Sequence, residues 1–271
     1  MVLAAAIGFV AGRSERAEPK RKGLPVSVKR QKLPGPAEKQ ALLLPSIQKK
    51  FPSPRIAIVM DDFGYNAAEM NSFFGIGEPI TLSILPDQSY SVKIASMAHS
   101  KGYEVILHLP LEPKSADVKE EPDTIRSSMS DGEISSRLKK ELASVPYLSG
   151  ISNHMGSKAT EDKRVMSIIM AELKRQGIFF FDSLTSENSV CREAARAAGV
   201  KYARRDIFLD IPNDPATIEK RILGMRKVAF NKGSATAIGH YRHNTIAALK
   251  KYMPAMAAEG VKFVFISDFE K

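Results

Sequence analysis

The chain has no tryptophan and a single cysteine among its 271 residues. The missing indole removes the largest aromatic platform for stacking on sugars or bases. One cysteine, Cys191, excludes an intrachain disulfide and any cysteine-rich zinc site. Its setting, "SVCREAARAAGV", is helix-like, and a lone thiol there reads as a small packed hydrophobe rather than a nucleophile. A membrane-spanning run is also missing. The apolar start "MVLAAAIGFVAG" covers only twelve residues, whereas about 20 are needed to cross a bilayer. No internal repeat is visible.

A balanced charge is absent too, but only locally. The formal net charge is +10, and residues 13–55 hold twelve Lys and Arg against three Asp and Glu. The rest of the chain carries 28 against 27 and is almost neutral. A basic nucleic-acid face on the folded part is therefore excluded as an expectation, and no nucleic-acid partner is predicted. The basic segment also holds seven of the sixteen prolines and lacks any sustained apolar period. It reads as a disordered, extended tether. The predicted organisation is an apolar anchor or signal remnant over residues 1–12, a basic Pro-rich linker over 13–54, and a folded domain over 55–271. An apolar start followed by a basic tether suits attachment to a membrane, so membrane tethering is expected.

From Arg55 onward, short β-rich runs alternate with helix-period segments. The strand candidates are "RIAIVM", "ITLSIL", "YEVILHL", "GISNH", "IFFFD", "VKYARR", "TAIGH" and "KFVFIS". Helical segments lie between them, several opening on Asp, Asn, Ser or Thr and closing on glycine. Repeated strand–helix units predict parallel strands with helices outside. Seven or eight such units predict an α/β fold, a closed or nearly closed β/α barrel.

In such a fold, functional side chains gather where strands end. Asp61 and Asp62 follow the first strand, His108 the third, Asn153 and His154 the fourth, and Asp182 the fifth. Arg204, Arg205 and Asp206 follow the sixth, and His240 the seventh. Three of the five histidines thus sit at strand ends, while His99 and His243 fall in helical segments. Imidazole and carboxylate are ligands for a divalent metal such as zinc, and Asp62, His108 and His154 would make a three-ligand site. Asp61 could then take a proton and His240 could deliver one. Each residue also has a structural alternative. Either aspartate could cap the following helix, His108 could be a hydrogen-bonded core residue, and His154 could bond a turn. Arg204 or Arg205 could meet an anionic substrate group or pair with Asp206 or Asp210. Tyr65 and Tyr241 are candidates for lining a glycan pocket, and the phenylalanines of "IFFFD" for the barrel core.

The segment "VMDDFGY" resembles the T-F-D-D-G motif of NodB-type polysaccharide deacetylases (carbohydrate esterase family 4). The ordered set "IAIVMDDFGYN", "EVILHLPLEP", "GISNHMGS", "FFFDSLT", "RDIFLD" and "AIGHYRHNT" is closer to the divergent polysaccharide deacetylase family of bacterial envelopes. The resemblance spans residues 55–266 and implies a distorted (β/α)7–8 barrel with a hydrolytic metal site acting on acetylated amino sugars. It matches Asp61 to the general base, Asp62 and His108 to metal ligands, and His240 to the general acid. The second histidine of the family's H-x-x-x-H motif is replaced here by Glu112, and the arginine-containing motif is absent. His154 or Glu112 is expected to supply the missing ligand, with His154 preferred because its strand ends on the same face. Asp182 is expected to orient the acid or the base. The expected cofactor is a divalent metal, zinc, the expected partner a polysaccharide or oligosaccharide, and the expected location the periplasm or cell envelope. The altered ligand motif keeps a second expectation open: a catalytically inactive, metal-containing glycan-binding or scaffolding protein.

Overall fold

Strands and helices alternate throughout residues 42–269, the part that the computed structural model describes. The expected anchor and most of the expected tether lie outside those residues. The order is β1 (Arg55–Phe63), α1 (Met70–Phe74), β2 (Thr81–Ile84), α2 (Ser91–Ser100), β3 (Val105–Leu111), α3 (Asp131–Ser144) and β4 (Leu148–Met155). It continues with α4 (Lys163–Gln176), β5 (Phe179–Asp182), α5 (Cys191–Ala198), β6 (Tyr202–Arg204), β7 (Ile207–Phe208), α6 (Pro215–Lys232), β8 (Ser234–His240), α7 (His243–Ala258) and β9 (Lys262–Val264). Among the described residues, no helix is long and apolar enough to cross a membrane.

Helix limits follow local chemistry. Ser130 and Glu133 form a reciprocal capping box at the start of α3, and Asp162 accepts from the backbone N–H groups of Arg164 and Val165 at the start of α4. Asp214 caps α6, with Pro215 at its first position, where the missing N–H costs nothing.

All paired strands are parallel, in the order β6-β5-β4-β3-β2-β1-β8-β7, with β9 beside the start of β1. Neither end strand, β6 or β7, pairs with the other, yet only Arg205 and Asp206 separate them in the chain. The sheet is therefore a curled, incompletely closed barrel. The sequence run "VKYARR" predicts one strand in this region. The structure adds β7, whose two residues are too few to show a period.

Side chains alternate between two apolar layers, as strand geometry requires. Ile56, Ile58 and Met60 point outward to a layer shared with Ile94, Leu138, Ile169, Ile222 and Leu249 of the helices. Ala57 and Val59 point inward, with Ile106, Phe179, Phe181 and Ile238. Burial on both faces explains why β1, β3 and β5 read as near-continuous apolar runs. The folded unit also begins earlier than Arg55. Leu42, Leu44 and Ile47 pack against the outer layer, and the N–H groups of Lys50 and Phe51 donate to the carbonyl of Phe230.

Candidate metal centre and flanking proton-transfer groups

The inward parity of the strands continues past the apolar layer into polar residues. Val59 is followed by Asp61, Ile106 by His108, Ser152 by His154, and Ile238 by His240, all at the C-terminal ends of parallel strands. Asp61 lies directly beside His240 in the β1–β8 register.

Asp62 should point the other way, but the strand is irregular there. Met60 pairs with Leu82 and Phe63 with Ile84, so three steps on β1 match two on β2. Asp62 takes a left-handed backbone, φ 65°, and Gly64 follows at φ 131°. Such a slip re-aims side chains, and here it lets two consecutive carboxylates serve one site. Conformations of this kind are strained for non-glycine residues, and they concentrate at functional sites. A Cβ on Gly64 would stand 2.8 Å from Ser91 Oγ and 3.0 Å from Gln88 Cβ. Gly64→Val is expected to lower stability by about 1–3 kcal/mol, read as a shifted denaturant midpoint.

The three expected ligands converge. His154 Nδ1 lies 3.1 Å from His108 Nε2 and 3.2 Å from Asp62 Oδ1, and His108 Nε2 lies 3.4 Å from Asp62 Oδ1. Ligand atoms at about 2.0–2.1 Å from a tetrahedral zinc stand about 3.3 Å apart, so the donor set fits such an ion. Asp62 Oδ1 is buried yet has no hydrogen-bond partner, as a coordinating oxygen would be. Behind the ring, His108 Nδ1 shares a hydrogen bond with Ser152 Oγ at 2.8 Å, and Ser152 Oγ meets Ser83 Oγ at 2.7 Å. That relay turns Nε2 toward the centre. Burial works against the ionised Asp62, but the His108 and His154 imidazoles beside it outweigh that cost. The carboxyl is held far below the usual range.

Asp61 is 2% exposed, with Oδ2 3.7 Å from His108 Nε2 and Oδ1 lacking any partner. Burial raises its pKa above the ordinary carboxylate value despite the lowering charges of His108 and His240. It is suited to accept a proton. His240 Nδ1 meets Asp210 Oδ1 at 2.7 Å, and Asp210 Oδ2 accepts from the His240 backbone N–H and from Thr245 Oγ1. Burial alone would lower the His240 pKa; the Asp210 hydrogen bond and charge, with Asp62 and Asp61 behind, raise it instead. For Asp210, burial is outweighed by its bonds to His240, and its pKa falls.

These directions set a pH window. His240, with its pKa raised above 6.5, stabilises the fold below that value and loses the contribution as pH rises through its folded pKa. Asp210, lowered from 3.8, contributes above that value and loses it as pH falls through its folded pKa. The pair therefore matters most between these ordinary values. Asp210→Asn is expected to lower the melting temperature most in that window and to lower the His240 pKa, read by NMR titration.

Not every strand-end residue joins the centre. Asp182 shares the outward parity of Phe180 and spends its oxygens on Leu184 N–H, Ser189 Oγ and Tyr202 Oη. The carboxylate that holds His240 is Asp210, not Asp182. Asp210 follows the short strand β7 and was legible only as an ion-pair partner for a neighbouring arginine. The Arg205 guanidinium instead donates to the Ser183 and Leu184 carbonyls, and Asp206 is bonded to Thr236. Glu112 is engaged elsewhere as well, by Lys158 at 2.9 Å and by Ser127. Asn153 braces Ser183 and Met155. Tyr241 stacks on Phe63 and accepts from the Glu69 N–H.

A cavity of ≈ 530 Å³ opens beside His154, lined by Tyr65, Gln88, Glu121 and Asp123 among others. That volume suits a small ligand. Tyr65 is half exposed and bonds Glu121. A second cavity, ≈ 630 Å³ and lined by Arg192, Tyr202, Arg204 and Phe269, shares no residue with the centre.

Comparison with known proteins shows the family and the fold. The family model described as divergent polysaccharide deacetylase matches residues 58–269. The uncharacterized protein YibQ of Escherichia coli K12 is 36% identical over 197 residues, 73% of this chain and 61% of that protein. This chain therefore spans less than two thirds of that relative. An uncharacterized protein from Agrobacterium tumefaciens C58 has a similar solved structure, with TM-score 0.75, 21% identity, and 82% and 92% of the two chains covered. A carbohydrate esterase family 4 pseudoenzyme from Bacillus anthracis shares the fold at TM-score 0.50 and 14% identity, covering 83% of this chain and 69% of that one.

Proposed function

Since the chain belongs to the divergent polysaccharide deacetylase family, we propose that it is a metal-dependent amide hydrolase that deacetylates an N-acetylated envelope polysaccharide. The supporting observation is the meeting of Asp62, His108 and His154 donor atoms at 3.1–3.4 Å, flanked by an Asp61 carboxylate whose Oδ1 has no partner and a braced His240. A divalent cation held by those three side chains would polarise an acyl carbonyl and acidify water.

The protein's own groups divide the proton transfers. Asp61 Oδ1, buried and without a partner, takes the proton from water as its oxygen adds to the acetyl carbon. His240 has Nδ1 held by Asp210, which leaves Nε2 to carry the proton that the departing nitrogen needs. Water's oxygen ends in acetate, the C–N bond breaks, and the sugar keeps an amine. Tyr65, at the mouth of the cleft, provides an aromatic edge for a sugar ring. A substrate of this kind places the work in the periplasm or cell envelope, and that location is part of the proposal.

Acetate release from chitin-type and peptidoglycan-type oligosaccharides, with zinc supplied, tests the reading. Release is expected from at least one class. Binding without release from either would favour a non-catalytic glycan-binding protein, the reading that Glu112 in place of the motif's second histidine supports.

A further inference from the structure

Three carboxylates that the proposed reaction does not use meet on the far wall of the same cleft. Asp87 lies on the loop after β2, Asp123 on the loop before α3, and Glu141 on α3 itself. One oxygen of each lies within 4.8 Å of the others, and all three line the cavity that His154 also lines. Glu141 is 0% exposed, and neither of its carboxylate oxygens has a hydrogen-bond partner. An ionised group left this way is costly, because nothing replaces the water it gave up. Burial, then the charges of Asp123 and Asp87, push its pKa up to about 7.

The outer two carboxylates have a cation already. Lys140 Nζ stands 2.9 Å from Asp87 and 2.8 Å from Asp123, and Arg137 lies 4.0 Å from Asp123. Neither bonds Glu141. The Lys140 side chain is 57% exposed, so its ammonium can move into water.

We propose that Asp87, Asp123 and Glu141 form a second cation site, of the calcium type and separate from the histidine-bearing centre. The donor set contains oxygen only, which selects a hard cation over zinc. Oxygens at about 2.3–2.6 Å from a calcium ion lie no more than about 5 Å apart, so three oxygens within 4.8 Å of one another can share one. A bound ion displaces Lys140, satisfies the Glu141 carboxylate, and ties two loops to α3. Those loops carry Gln88 and Glu121, which bond each other at 3.0 Å, and Glu121 also holds Tyr65. Occupancy therefore stiffens the wall against which a ligand of the cleft would lie. The inference does not depend on the proposed reaction.

The test uses the full chain with zinc supplied, titrated with CaCl₂ by calorimetry and thermal melting. Tb³⁺ serves as a luminescent probe, since tyrosine is the main sensitiser in a chain without tryptophan. One equivalent of Ca²⁺ is expected to bind and raise the melting temperature. Glu141→Gln and Asp123→Asn are each expected to weaken binding by about tenfold or more, while His108→Ala leaves it unchanged. Glu141→Gln keeps the side chain's shape and removes a buried charge, and Asp123 lies on a loop, so folding is not at stake in both variants. Absence of binding at about 10 mM Ca²⁺, above the weakest sites of this kind, would overturn the proposal. Equal binding by wild type and both variants would do the same.

Discussion

His154→Ala is expected to reduce acetate release by about 10³-fold or more, the several kcal/mol that a correctly held cation supplies to an acyl-transfer transition state. Glu112→Ala, by contrast, is expected to leave the rate within a few-fold of wild type. The contrast follows from where the two side chains point. His154 Nδ1 sits 3.1 Å from His108 Nε2 and 3.2 Å from Asp62 Oδ1. Glu112 spends its carboxylate on Lys158 Nζ and on the Ser127 N–H and hydroxyl. Losing Glu112 should instead loosen its bridge between the turn at Ser127 and the turn at Lys158, which a lower melting temperature would register. Equal losses of rate from the two substitutions would contradict the assignment of the third ligand.

Asp61→Asn is expected to lower kcat by about 10²–10⁴-fold, the usual contribution of a positioned general base, with zinc content retained. Asparagine preserves the shape and cannot accept the proton. The side chain is buried and its Oδ1 makes no hydrogen bond, so removing its charge relieves a desolvated group and weakens the 3.7 Å contact of Oδ2 with His108. The melting temperature should hold or rise. A structural role would give the opposite pattern, with stability falling and kcat little changed in whatever remains folded. Acetate-release kinetics beside thermal melting of the same preparation separates the two cases.

The alternation of strands and helices was legible because each element carries its own period and caps, and a parallel sheet follows from that alternation. The strand-end histidines were legible for a related reason: parallel strands put all their C-terminal ends on one edge. Facing direction was harder to read. In "IFFFD" three consecutive phenylalanines serve both layers, Phe179 and Phe181 inward and Phe180 outward, so nothing in the sequence told that Asp182 would leave the centre. Asp62 shows the reverse. Strict alternation would have turned it away from Asp61, and only the slip against β2 and its φ of 65° bring it back. Asp210 was missed because its strand, Ile207–Phe208, is two residues long. A polar residue at the end of so short a run carries no pattern. The packing of Leu42, Leu44 and Ile47 was hidden by the prolines and lysines around them, which made the whole segment read as tether.

The most direct measurement is the zinc content of the purified chain after saturation and desalting, beside Asp62→Ala, His108→Ala, His154→Ala and Glu112→Ala. About one tightly held equivalent is expected in wild type and in Glu112→Ala, and little in the other three, as for a three-ligand site losing one donor. Undiminished zinc in the His108 and His154 variants would contradict the centre described here.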